Sequence, residues 1–257
     1  MQHPATALDD LAQAVGALIE RLRARAPRVH CITNSVAQNF TANVLLAAGC
    51  VPSMTLSPDE VGVFVAGAQA LMVNLGTFDA ERSVAAEIAI GVACENKIPW
   101  VLDPVFVDRS PQRAAFARHL LTLAPAVVRL NAAEFAALAG NGPETAAVWA
   151  RDHKTVIALS GETDLVADGG RRARIANGHV LMARVTAMGC AASALVAACL
   201  AVEPDAFRAA AAALLIVDIA GEVAAATAQG PGSFAVAMLD ALYRLDAGTL
   251  AARAKVT

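Results

Sequence analysis

The sequence predicts a three-layer α/β/α domain on a mostly parallel central sheet, and three observations lead there. Short apolar runs alternate with longer helical patterns along the 257 residues, the rhythm of βαβ units. Several of those runs are continuously apolar, as happens when helices cover both faces of a sheet. The composition is 57% hydrophobic but only 4% aromatic and 17% charged. Ala, Val and Leu therefore supply most of a large core, and small side chains let helices pack closely on strands.

The elements follow in order. Met1–Pro27 carries a helical period through Leu8, Leu11, Val15, Leu18 and Leu22, spaced to form one apolar face. Strands are predicted at Val29–Ile32, Leu71–Leu75, Trp100–Leu102, Ala126–Leu130 and Val156–Leu159. Helices are predicted between them at Gln38–Ala48, Ala80–Asn96, Gln112–Leu123 and Ala132–Ala139. After Ser160 the style changes. Asp164–Ala167 and Arg172–Ile175 flank Asp168-Gly-Gly170, a hairpin signal. Three helices, Cys190–Val202, Asp205–Ala228 and Ser233–Leu245, then close the chain. No linker or repeat divides it, so residues 1–257 are expected to form one domain.

Composition excludes several function classes. Net charge is −3, and the densest basic run is only Arg171, Arg172 and Arg174. Without a basic stripe, the counterion release that drives nucleic-acid binding is missing. Cys31, Cys50, Cys94, Cys190 and Cys199 are odd in number and lack CxxC spacing, which argues against a disulfide framework or a structural zinc site. The N-terminus lacks the basic start and apolar run of a signal peptide, so a cytoplasmic setting is expected. Val185–Val202 is uncharged and just long enough to span a bilayer. It is nonetheless rich in Ala, Gly, Ser and Thr, so it reads as a buried helix. The low charge fraction also leaves apolar surface for subunit contacts, and an oligomer is expected.

In an open parallel sheet, ligands bind at the carboxyl ends of the strands. Five polar groups stand there: Thr33 with Asn34, Asp103, Asn131, Glu134 one helical turn later, and Ser160-Gly-Glu162. Asn131 and Glu134 also have the spacing of a helix capping box, a local role that does not exclude a place in a site. Val185-Thr-Ala-Met-Gly-Cys190 leads into an Ala-rich helix. Such a turn can present free backbone N–H groups to an anion. Cys190 at that terminus would have a lowered thiol pKa, or would be an inert buried cysteine. Gly230-Pro-Gly-Ser-Phe-Ala235 mimics a dinucleotide pattern but follows a helix, so a tight turn capped by Ser233 is expected. His3, His119 and His153 show no metal-ligand spacing. No P-loop is present.

Taken together, His30-Cys-Ile-Thr-Asn34, Asn39-Phe-Thr-Ala-Asn43, Pro52-Ser-Met54, Asn74-Leu-Gly-Thr77, Leu102-Asp-Pro-Val105, Asn131-Ala-Ala-Glu134, Asn177-Gly-His179 and Gly230-Pro-Gly-Ser-Phe234 resemble the hydroxyethylthiazole kinase family, in unchanged order from about Val29 to Leu245. The resemblance implies a ribokinase-like fold and transfer of the ATP γ-phosphoryl group to 4-methyl-5-(2-hydroxyethyl)thiazole. It also implies Mg²⁺ and a homotrimer with sites at subunit interfaces. By motif position it implies that Asn34, Met54 and the Ala187 amide contact the thiazole, that Arg129 and Ser160 bind ATP, and that Asp103 and Glu134 organise Mg²⁺. Ala187, Met188, Gly189 and Cys190 would form the anion hole, with Cys190 in the catalytic-base position.

The chain departs from that pattern in three places. Phe106-Val-Asp-Arg109 replaces a glycine-rich turn, Ala187 replaces a glycine, and Gly140–Lys154 is shorter. Two other readings therefore remain at this level: a kinase for another vitamin-precursor alcohol such as hydroxymethylpyrimidine, and a ligand-binding relative that transfers nothing.

Overall fold

The computed structural model describes residues 4–140 and 143–257. One eight-stranded sheet runs in the order β2-β1-β3-β4-β5-β6-β7-β8. The strands are β1 Arg28–Ile32, β2 Val51–Ser53, β3 Ala70–Asn74, β4 Trp100–Asp103, β5 Val127–Asn131, β6 Val156–Ser160, β7 Asp164–Ala167 and β8 Arg172–Ile175. From β2 to β6 every pairing is parallel, while β6, β7 and β8 pair antiparallel. The predicted hairpin is therefore β7–β8, with Asp168 Oδ1 accepting from the Gly170 and Arg171 amides at its turn.

The period-two alternation of a strand explains the layers. On β1, Val29 and Cys31 join one core while Ile32 joins the other. On β4, Val101 faces the first core, and Trp100 and Leu102 face the second. Against the first face pack α1 Pro4–Arg25, α2 Gln38–Ala47, α8 Met188–Leu200, α9 Ala206–Ala225, α10 Pro231–Arg244 and α11 Ala247–Arg253. Against the second pack α3 Val61–Ala66, α4 Ala80–Glu95, α5 Pro111–Leu121, α6 Ala132–Ala139 and α7 Pro143–Asp152.

The three-layer expectation holds, with corrections at the edges. The N-terminal periodicity is α1, whose Leu11, Val15, Leu18 and Leu22 are buried. The side chain of Leu8, and His3 with the rest of Met1–His3, lie outside the described residues, as do positions 141 and 142 within the short Gly140–Lys154 stretch. β2, α3 and α7 were not expected, and four helices close the chain instead of three, because α11 follows α10. Ser233 Oγ does cap the turn before α10, accepting from the Gly230 amide at 3.2 Å. The uncharged Val185–Val202 stretch becomes α8, buried along nearly its whole length. Among the described residues no helix is long and apolar enough to cross a membrane.

Candidate active site

The parallel register aligns the strand ends. Asn74 pairs with Asp103, and Asn131 pairs with Ser160. α8 packs on β1, β3 and β4, so its N-terminus meets those same ends. Sheet order then lays the predicted residues out in a row, joined by Asn74: Met54 just past β2, Asn34 past β1, Asn74 on β3, Asp103 on β4, Arg129 and Asn131 on β5, and Ser160 on β6. At about 4.8 Å per strand, three strand steps separate Met54 from Asp103 by roughly 14 Å. Such a span accommodates a small flat molecule.

Cys190 stands in the middle of this row. Asn34 Nδ2 donates to its Sγ at 3.3 Å, and Asn74 Nδ2 does so at 3.4 Å. Asn74 Oδ1 in turn accepts from Asn34 Nδ2 at 3.3 Å and from the Gly76 amide at 2.9 Å. Gly76 has to be glycine here, since a Cβ would lie 2.6 Å from Asn34 Cβ. The Asn34 Oδ1 atom is buried and has no partner among the described residues.

The expectation of a lowered Cys190 pKa is overturned. Burial, then the charge of Asp103, push the thiol up to about 12. The helix terminus cannot offset the lost hydration of a thiolate in so enclosed a place. At neutral pH, Cys190 is a thiol whose sulfur accepts hydrogen bonds.

Asp103 is 2% exposed and accepts from Ser193 Oγ at 2.8 Å. Burial raises its pKa, against the lowering effects of Arg129, Ser193 and Asn74. Glu134 is 3% exposed and fulfils the capping box: its Oε2 accepts from the Asn131 amide at 2.9 Å, while Asn131 Oδ1 accepts from the Glu134 amide at 3.0 Å. Its other oxygen accepts from the Phe106 amide at 2.9 Å. Burial again leads the upward shift, and the nearby Asp103 adds to it. Both roles open to Glu134 are thus compatible in one side chain. A pair of buried, mutually repelling carboxylates attracts a cation, and two carboxylates suit Mg²⁺ when phosphates and water complete its shell. Among the described residues no group of three or more metal-ligating side chains exists. The donor set therefore fits a metal that arrives with a phosphate.

The Phe106–Arg109 departure does not disturb that pair. Phe106 adopts φ 64°, which lends its amide to Glu134, and its ring is 49% exposed. The guanidinium carbons of Arg109 and Arg113 sit 5.4 and 5.8 Å from the ring centre.

Ala187 is the N-cap of α8 at φ 72°. A left-handed alanine costs about 1–2 kcal/mol, so the turn is held by its surroundings. The first intrahelical bond runs from the Ala191 amide to Ala187 O at 2.9 Å. The earlier amides of Met188, Gly189 and Cys190 precede the helical ladder, as the anion-hole expectation requires. Gly189 faces Arg129: a Cβ there would lie 2.7 Å from Nη1. Arg129 Nε is buried and has no partner among the described residues.

On the far side of Arg129 opens a cleft of about 940 Å³, lined by Ser160, Asp164, Gly178, Met182, Gly189 and Asp218 among others. Asp218 comes from α9. It is 6% exposed, and its Oδ2 has no partner among the described residues. Burial and the facing Asp164 raise its pKa well above 3.8. The folded state then holds a proton that the unfolded state releases, so stability falls as pH rises above about 4, at up to about 1.4 kcal/mol per pH unit for one proton. Asp218→Asn is expected to flatten that decline and to melt above the parent at pH 8, a difference that thermal unfolding across pH 4–8 measures.

The structure thus brings Asn34, Asp103, Arg129, Glu134, Ala187, Gly189 and Cys190 to one edge of the sheet beside the start of α8, with Ser160 lining the adjoining cleft and Met54 at the sheet edge. Sequence reasoning missed Asn74, Ser193 and Asp218. Asn74 was hidden because its strand was drawn to Leu75. Ser193 carried the signal of i, i+3 spacing from Cys190, which places both on one helix face.

A family model described as the hydroxyethylthiazole kinase family matches residues 19–248. The chain belongs to that family. A probable hydroxyethylthiazole kinase of Agrobacterium fabrum is 42% identical, over 93% of both chains. The hydroxyethylthiazole kinase of Klebsiella pneumoniae strain 342 is 46% identical, over 87% of this chain and 92% of its own. The solved hydroxyethylthiazole kinase of Pyrococcus horikoshii OT3 superposes with a TM-score of 0.91 at 35% identity, covering 95% of this chain and 98% of its own. A ribokinase-like superfamily protein of Enterococcus faecalis V583 shares the fold at a TM-score of 0.70 and 12% identity, over 91% of this chain and 93% of its own. The chain is accordingly a kinase with a ribokinase-like fold.

Proposed function

We propose that this kinase acts as a single domain to transfer the γ-phosphoryl group of ATP to the primary alcohol of 4-methyl-5-(2-hydroxyethyl)thiazole, with Mg²⁺, as a cytoplasmic homotrimer in thiamine salvage. One observation carries the reading: the free amides at the start of α8, the Arg129 guanidinium over Gly189 and the buried Asp103–Glu134 pair converge. The matching names of its relatives support the acceptor.

The row of strand ends gives each group a task. Ser160 and the cleft receive the nucleotide, and Arg129 meets its phosphates. The unpartnered Arg129 Nε and its neighbouring amides match an anion's need for donors. Asp103 and Glu134 hold Mg²⁺, which when bound neutralises charge on the phosphate oxygens. Asn34 Oδ1, lacking a donor of its own, accepts from the acceptor hydroxyl. Met54 and the Ala187 amide bound the ring of a neutral, sulfur-containing ligand through dispersion and shape.

Cys190 does not need to be a strong base. Phosphoryl transfer passes through a loose transition state in which alignment and charge stabilisation dominate over early deprotonation. The thiol orients the hydroxyl between Asn34, Asn74 and the incoming phosphorus.

The trimer reading rests on the exposed edge beside β2. There Val51, Val63 and Phe64 are 48%, 77% and 44% exposed, an apolar strip at an unpaired strand that a neighbouring subunit would cover.

The test is a coupled assay with ATP and Mg²⁺. The thiazole alcohol should be phosphorylated with higher kcat/KM than hydroxymethylpyrimidine, and the reverse order would overturn the acceptor. In the same assay Cys190→Ala is expected to lower kcat about 10- to 100-fold, at the low end for proton-handling groups. Its KM for the thiazole alcohol should change little. Unchanged turnover would remove Cys190 from the reaction.

A further inference from the structure

His30 opens one of the sequence motifs, yet the reaction gives it no task. It lies on β1 and is wholly buried. Its two ring nitrogens are engaged by the last residue of the short edge strand β2 and by the segment just past it. Nδ1 is 2.8 Å from Ser53 Oγ, and Nε2 is 3.1 Å from the carbonyl of Thr55. A carbonyl can only accept, so Nε2 carries the proton and Nδ1 accepts from the Ser53 hydroxyl. Burial lowers the imidazole pKa to about 4, consistent with this neutral form near pH 7.

The two partners flank Met54. β2 is three residues long and, among the described residues, pairs only with β1, at Arg28–Val51, Val29–Pro52 and His30–Ser53. Its other edge is open, and the ladder stops one residue before Met54. Alternation along β1 puts His30 on the same face as Ile32, the face covered by α3, and the Phe64 ring of that helix lies 6.0 Å away. Met54 packs instead against the core that contains α8. The imidazole therefore grips the residues on both sides of Met54 from behind the sheet, while Met54 faces the layer in which Cys190 lies.

We infer that His30 is a positioning residue for acceptor affinity: through Ser53 and Thr55 it holds Met54 at a fixed distance from Asn34, so that the gap keeps the width of one small flat ring. This rests on the proposed role of Met54 as an acceptor contact. His30 itself touches neither substrate nor reacting atoms. A clamp of this kind acts before chemistry, so its loss weakens acceptor binding and leaves phosphoryl transfer intact.

Steady-state kinetics of Ser53→Ala, Ser53→Thr, His30→Gln and Met54→Ala test it, each with the melting temperature recorded. Ser53→Ala removes one hydrogen bond and should raise KM for the thiazole alcohol about fivefold, with kcat within about twofold and KM for ATP unchanged. Ser53→Thr restores the hydroxyl and should return KM close to the parent value. His30→Gln keeps a donor for Thr55 and should fall between the parent and Met54→Ala. If Met54→Ala raises acceptor KM but Ser53→Ala and His30→Gln do not, the clamp is wrong while the acceptor site stands. If Met54→Ala leaves acceptor KM unchanged, the acceptor site as drawn is wrong and the clamp falls with it. A parallel rise in both KM values, or a fall in kcat alone, would mean a general loss of structure and would also overturn the inference.

Discussion

Asp103→Asn is expected to lower turnover about 10²–10³-fold, the range for removing one preorganised electrostatic group, while the fold becomes no less stable at neutral pH. The carboxylate sits 2% exposed at the end of β4, and burial is the largest influence on it. A folded-state pKa above the ordinary 3.8 means the native protein holds that proton more tightly than the unfolded chain. Stability contributed by this group is therefore lost as pH rises above about 4. Asparagine has nearly the same shape, can still accept from Ser193 Oγ, and carries no charge to desolvate. The variant should thus melt at or above the parent at pH 7, with the advantage shrinking towards pH 4. A drop in kcat alongside a maintained melting temperature is the pattern of a charge kept for chemistry at a cost in stability. An unchanged kcat would exclude Asp103 from the reaction.

Arg129→Met should do the opposite to stability and comparable harm to function. Asp103, Glu134, Asp164 and Asp218 all have their raised pKa values held down in part by this one guanidinium. Removing it leaves several enclosed carboxylates without compensation, a loss of about 3–5 kcal/mol by analogy with broken buried ion pairs. All four folded-state pKa values would climb further. The deficit should accordingly be largest at pH 8 and recover as pH falls towards 5, which denaturant titrations at the two pH values would reveal. Losing charged donors to phosphate should weaken nucleotide binding about 10- to 100-fold, measurable by calorimetry with ATP. A variant as stable as the parent at pH 8 would show that the four carboxylates do not depend on Arg129.

Much of this could be read from the chain. Continuously apolar runs announced a sheet covered on both faces, and the polar residue after each run announced the site edge. Asp103, Asn131 and Ser160 were found because each ends a hydrophobic strand, and the Asp168-Gly-Gly170 turn marked β7–β8 because glycine suits that geometry. Other features left too faint a trace. β2 spans only Val51–Ser53, too few residues for alternation to show. Asn74 was taken as the interior of a strand drawn one residue too far, although it ends β3 and its side chain bonds Cys190.

Residue types and their order determined the layers, the strand ends and the family. Only the tertiary structure decided how those residues behave. Ser193 reaches Asp103 across 90 positions of sequence, and Arg129 lies over Gly189 from another strand altogether. Whether Cys190 is a thiolate or a thiol, and how readily Asp218 gives up its proton, depends on how much water those contacts leave. Hydration is a property of packing, and the packing at each of these sites is made by residues distant along the chain.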